Sequence, residues 1–263
     1  MTIKRVLNWK PSLPDHRDFK YEAVKPVLPT LPKMVDLRPQ CPPVYDQKNI
    51  GSCSSQSLAA CYEYLQLKDL KTHVAAPEVF ASTYTPVSRL FIYWNERFIE
   101  GDTSTDAGAI TLKDGCDAIL KNGVCKETTW TYNDANVIPK PSAQAYTEAL
   151  SHKISVYYRL NTMHDLKTCL ADGYPFTLGI MIYESFMSDA VAKTGVVPMP
   201  GKDEEILGGH AVCAVGYDDN KQHFIVRNSW GNSWSPRMGG YFLLPYAYVG
   251  NANLAGDFFT IRK

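Results

Sequence analysis

The chain has 263 residues, 45% of them hydrophobic, and its 27 basic side chains balance 27 acidic ones. That length builds one large domain or two lobes about a cleft. The neutral balance gives no reason to expect nucleic acid or a membrane as partner, and no run of about 18 apolar residues marks a membrane-spanning helix.

Residues 1–35 are punctuated by Pro11, Pro14, Pro26, Pro29 and Pro32, and no helical period survives there. They read as an extended arm, with Trp9, Phe19 and Tyr21 as apolar anchors along the globule. From Ser54 to about Leu70 an amphipathic helix is expected, because Leu58, Cys61, Tyr62 and Leu65 follow a helical spacing. Gly51-Ser52 supplies its turn and cap. Residues 86–99, 108–122 and 142–152 also read as helices, the second stopping at Asn122-Gly123. Lys153–Leu160, Phe176–Ile182, His210–Tyr217, Gln222–Asn228 and Gly240–Leu244 read as strands. Helices first and strands second predict an α+β protein with unlike lobes, about 45–150 and 151–263.

Seven cysteines at irregular spacing do not form a disulfide framework. Cys61 and Cys213 read as small core residues. The first residues lack a hydrophobic signal core. Together these features predict the cytoplasm or another reducing compartment. No CxxC or HExxH pattern occurs, so neither a metal nor another cofactor is expected.

Cys53 carries the strongest chemical signal. It precedes a helix, where the partial positive charge favours a thiolate, and small polar residues surround it. His210 and Asn228 supply a proton carrier and an amide to orient it. They lie at equal sequence distance from Asp219. A hairpin folded there makes them cross-strand neighbours on one face, with Cβ atoms roughly 5 Å apart. A bulge near Gly216 would break that register. Gly208-Gly209 leaves room for a substrate backbone, and Trp230 can cover the His–Asn pair. Gln47 can donate an amide N–H to an oxyanion beside the Cys53 N–H.

Three blocks carry a family resemblance: Gln47-x-x-x-Gly51-Ser52-Cys53, Gly209-His210-Ala211-Val212, and Arg227-Asn228-Ser229-Trp230-Gly231-Asn232-Ser233-Trp234. The chain resembles the papain family of cysteine peptidases over about residues 36–263. The resemblance implies a helical lobe bearing Cys53 and an antiparallel β-barrel-like lobe bearing His210 and Asn228. It also implies a peptide or protein substrate bound across the cleft. Ala107-Gly108 would pair with substrate backbone, and Ile180 and Ala211 would line the main apolar pocket. Ile50, Ser54 and Ser235 depart from the family's usual Cys, Trp and Gly. The absent pro-helix points to microbial or viral members with a short N-terminal arm, and to a virion or host cytosol if the source is viral. Residues 1–35 are expected on or near the cleft, modulating access.

The reading is a cysteine endopeptidase with Cys53 as nucleophile, His210 as proton carrier, Asn228 orienting and Gln47 stabilising the oxyanion. One competitor is another thiol acyl transferase, which usually places an acid where Asn228 stands. The other is a catalytically idle papain-fold binding module.

Overall fold

The computed structural model describes residues 5–26, 28, 30–73, 84–108 and 111–263. Among these, helices α1 (Cys53–His73), α2 (Arg89–Glu100), α3 (Leu112–Asn122) and α4 (Ala143–Ala149) lie in the first part of the chain. The strands are β1 (Met34–Asp36), β2 (Val156–Arg159), β3 (Phe176–Tyr183), β4 (Ile206–Asp218), β5 (His223–Arg227), β6 (Tyr241–Pro245) and β7 (Ala255–Arg262). Short helices α5 (Met163–Ala171), α6 (Asp189–Thr194) and α7 (Tyr246–Val249) fall between strands. The fold is α+β.

The sheet is antiparallel in the order β2-β7-β3-β4-β5-β6, with β1 paired to β4. Its centre is β4, whose first half pairs with β3 and whose second half pairs with β5. α1 packs across β4, which sets the thiol-bearing helix against the histidine-bearing strand.

The expected amphipathic helix at α1 is corrected by its position. Residues 53–65 are buried on every side, serines and Glu63 included. A helix enclosed all round needs no polar face, but its polar side chains need partners. Ser54 Oγ donates to Glu96 at 2.8 Å, Ser57 Oγ meets Thr177 Oγ1 at 2.6 Å, and Glu63 accepts the Val87 N–H at 2.9 Å.

α2 starts on Ser88, whose hydroxyl accepts the Phe91 N–H, and stops at left-handed Gly101. α3 starts at Leu112 on a Thr111 cap, later than expected, and stops at Gly123. Ala109 and Ile110 of the expected helix lie outside the described residues. Five elements escaped the sequence reading: β1, α5, α6, α7 and β7. α5 has a capping box between Thr162 and Asp165, and β7 sits between β2 and β3.

A hairpin forms, but its turn centres between Asn220 and Lys221 rather than on Asp219, and it carries the bulge that was its stated hazard. The β4–β5 register shifts between Ala214 and Gly216. Cys213 faces Arg227, so Asn228 falls level with Val212, a diagonal step from His210 on the same face.

Candidate active site

Helix α1 begins at Cys53, with the Ser52 carbonyl accepting the Gln56 N–H at 3.0 Å. The sulfur is buried, in the apolar core that also holds Ala211, the residue after His210. Burial pushes the thiol up to about 11; the Ala211 N–H works against that shift and Glu96 adds to it. The expectation of a depressed thiol is therefore corrected for this covered state. Loss of solvent around the sulfur outweighs the helix terminus.

His210 is fully buried, and its Nε2 lies 2.9 Å from Asn228 Oδ1. The same oxygen accepts the Ser229 backbone N–H at 2.8 Å, which fixes the amide's orientation. An accepting oxygen requires Nε2 to carry the proton, leaving the Nδ1 lone pair for a thiol. Nδ1 has no hydrogen-bond partner, so no bond joins it to the thiol in this covered state. Burial pushes the imidazole down to about 4; Asn228 opposes the shift and the Arg5 charge adds to it. Both groups are neutral near pH 7, rather than a thiolate–imidazolium pair. Trp230 stacks on the imidazole with centroids 4.9 Å apart, confining its ring.

Gln47 is buried and held at both ends of its amide. Its Oε1 accepts from Ser229 Oγ at 2.6 Å, and its Nε2 donates to the Ile50 carbonyl at 3.0 Å. One amide hydrogen remains for another acceptor. Tyr132 donates to the Gln47 carbonyl at 2.9 Å and touches Ser52 Oγ at 2.7 Å, tying that loop to the turn before Cys53.

The remaining expected binding residues all meet the N-terminal arm or the nucleophile. The Trp9 N–H donates to Gly209 O at 3.1 Å, beside a parallel bridge between Asn8 and Gly209. The Asn8 side-chain amide donates to Ala107 O, and a Cβ on Gly108 would collide with it. The Trp9 indole fills the space over Gly179 and Gly209. It is 2% exposed, in one apolar cluster with Ile180, Ala211 and Cys53. Arg5 lies 5.4 Å from the Trp230 ring and binds Asp46 at 2.7 Å.

Further along, the arm is tied down by charge. Ser12 bonds Asp257, which meets Arg159 at 3.4 Å, and Arg159 meets Asp18 at 2.7 Å. Asp18 also holds Lys113 of α3 at 2.8 Å.

The departures from the family pattern have local reasons. Ile50 packs with Leu90, Tyr93 and Val137, an apolar contact where relatives have a bridging cysteine. Ser235 adopts φ 49, the left-handed region that explains a common glycine there. The sequence reading missed Ser229 and Tyr132 as supports of Gln47. Ser229 was visible as the neighbour of Asn228; Tyr132 had no local signal.

A family model described as papain family cysteine protease matches residues 101–258, a span containing His210 and Asn228. An uncharacterized peptidase C1-like protein of Acanthamoeba polyphaga mimivirus is 37% identical, across 100% of this chain and 88% of its own. Cysteine proteinase 3 of Entamoeba histolytica is 26% identical, over 87% of this chain and 70% of its own. Among solved structures, xylellain, a cysteine protease from Xylella fastidiosa, superposes with a TM-score of 0.86 at 38% identity, covering 100% of this chain and 99% of its own. Digestive procathepsin L 3 of Tenebrio molitor larval midgut shares the fold at 20% identity, with a TM-score of 0.70 over 98% of this chain and 77% of its own. A helical part and an antiparallel sheet, with the expected cysteine, histidine and asparagine brought to one place, define a cysteine peptidase. The chain belongs to the papain family of cysteine proteases.

Proposed function

We propose that the chain is a latent endopeptidase, working through Cys53, His210, Asn228 and Gln47 once its own arm leaves the cleft. The observation that carries this reading is the His210–Asn228 bond at 2.9 Å, which leaves Nδ1 as the lone-pair nitrogen. An orienting amide and a buried nucleophile at a helix start favour peptide hydrolysis over an idle scaffold. The amide also counts against the transferases that place an acid there.

With the arm displaced, water and substrate reach the pair, and the burial that holds both groups neutral is relieved. Nδ1 takes the thiol proton, and the sulfur attacks the peptide carbonyl carbon. The carbonyl oxygen gathers negative charge and accepts from the Cys53 N–H and the free Gln47 Nε2 hydrogen. The C–N bond breaks as His210 returns its proton to the leaving amine, giving a thioester. Water, deprotonated by Nδ1, then attacks that thioester and frees the acid and the thiol.

Asn8 lies on Ala107 and Gly108, two of the residues expected to meet substrate, and Trp9 lies on Gly209, a third. This placement supports an inhibitory role for the arm. An epoxide inhibitor of papain-like enzymes tests the whole reading. Truncation of residues 1–35 should speed its attachment to Cys53, and Cys53→Ala should abolish both labelling and peptide turnover. Equal labelling with and without the arm would end the latency proposal.

A further inference from the structure

The residue after the nucleophile is Ser54, where the family usually has tryptophan. Ser54 is completely buried, and its hydroxyl donates to Glu96 Oε2 at 2.8 Å. Glu96 rises from α2 and is itself 0% exposed. Its other oxygen, Oε1, has no hydrogen-bond partner. The adjoining Arg97 is committed elsewhere, to the carbonyls of Thr105 and Val137 and to the face of Tyr93. On α3, a Cβ at Gly115 would run into Glu96 Oε1 and Leu58 Cδ1. Three helices therefore shape a slot around one carboxyl group, and the group's hydrogen bond is made to the neighbour of the reactive cysteine.

We propose that Glu96 is a positioning residue for the nucleophile, acting through Ser54 on the first turn of α1. That turn carries both the sulfur and the Cys53 N–H assigned to the oxyanion. A carboxyl group with one hydroxyl partner and no cation bonded to it is most stable uncharged. Burial, first of all, holds Glu96 well above the usual carboxylate range. Glu100 of the same helix and Asp114 of α3 push it further up, while Ser54 and Arg97 pull it down. A negative charge on Glu96 would raise the Cys53 thiol further. The slot thus does two things. It anchors the turn through a hydrogen bond, and it keeps a negative charge away from a sulfur that must itself become negative.

The consequence for catalysis rests on the peptidase reading, but the sulfur can be read without it. The experiment measures the rate at which iodoacetamide alkylates Cys53 between pH 5 and 9 (roughly the span over which histidine and cysteine titrate), located by peptide mapping. It uses the full-length chain carrying Trp9→Ala to open the site. In that background Ser54→Ala and Glu96→Ala are expected to slow alkylation at pH 7 about tenfold, a loss equal to one hydrogen bond to the turn. Glu96→Gln, uncharged and still able to accept from Ser54, is expected to stay within about threefold of the parent and to keep its pH profile. Parent-like rates in Ser54→Ala, or a Glu96→Gln variant as slow as Glu96→Ala with an unchanged cooperative melt, would overturn the proposal. Should Glu96→Ala not fold, Ser54→Ala and Glu96→Gln decide alone. Alkylation with no peptide turnover in the parent would count against the peptidase reading and leave this result standing.

Discussion

The indole of Trp9 stands where a side chain on Gly179 would have to be, so a Cβ added at Gly179 would strike the ring. Gly209 makes the same allowance for the Trp9 backbone. Two glycines on adjacent strands thus leave the room that Trp9 fills.

Trp9→Ala is expected to open the site. Removing a buried tryptophan costs the docked arm about 3 kcal/mol, which raises the open population roughly a hundredfold. The rate of epoxide labelling at Cys53 should rise accordingly. Labelling at the wild-type rate would mean that Trp9 does not hold the arm in place.

Acid should undock the arm. His210 is held down to about 4 in the covered site, against 6.5 when free. The open form binds a proton that the covered form refuses, so the covered form is fully stable above about 6.5 and weakens as pH falls through that window. At about 1.4 kcal/mol per unit the full loss is about 3 kcal/mol. Limited proteolysis of the arm from pH 7 down to 4 checks this. His210→Gln should flatten the response. Arg5→Ala should shrink the response, since without the Arg5 cation the covered ring's pKa lies nearer its free value.

Loss of Asn228 should be felt in rate more than in binding. Asn228→Ala frees the ring to rotate, and kcat is expected to fall about ten- to a hundredfold with KM nearly constant. Gln47→Ala is expected to cost about a hundredfold through the oxyanion. Ser229→Ala, which releases the Gln47 amide, should cost less than Gln47→Ala. Steady-state kinetics on an arm-opened enzyme would show the order. Equal losses for Ser229→Ala and Gln47→Ala would mean that Ser229 does more than orient.

The charged anchor of the arm should matter for latency, not chemistry. Asp18 and Asp257 have side chains only 3% and 2% exposed, and both meet Arg159. Asp18→Ala leaves Arg159 and Lys113 short of a partner. Because those cations are 19% and 20% exposed, a loss of about 2 kcal/mol is expected, below that of a fully buried pair. Faster proteolysis of residues 10–25 in Asp18→Ala, with labelling of the opened site unchanged, is the expected result.

Much of the site was legible because it is written in local blocks. Gly51-Ser52-Cys53 marks a helix start, and the span from His210 to Asn228 reads as a hairpin from turn residues alone. The one-residue bulge at Val215 changes the parity of the register and so brings Asn228 onto the face of His210, where the two bond.

Other features depended on neighbours far away in sequence. The spacing of its apolar residues makes α1 read as amphipathic, whereas its polar residues are buried against partners such as Thr177 and Glu96. The neutral state of Cys53 and His210 was equally out of reach, since helix position argues for a thiolate and burial by the folded chain reverses it. By itself the sequence determined which side chains do chemistry and which elements carry them, because residue type and spacing are local properties. Only the tertiary structure decided what surrounds them, because desolvation and hydrogen-bond partnership are set by atoms that meet through folding.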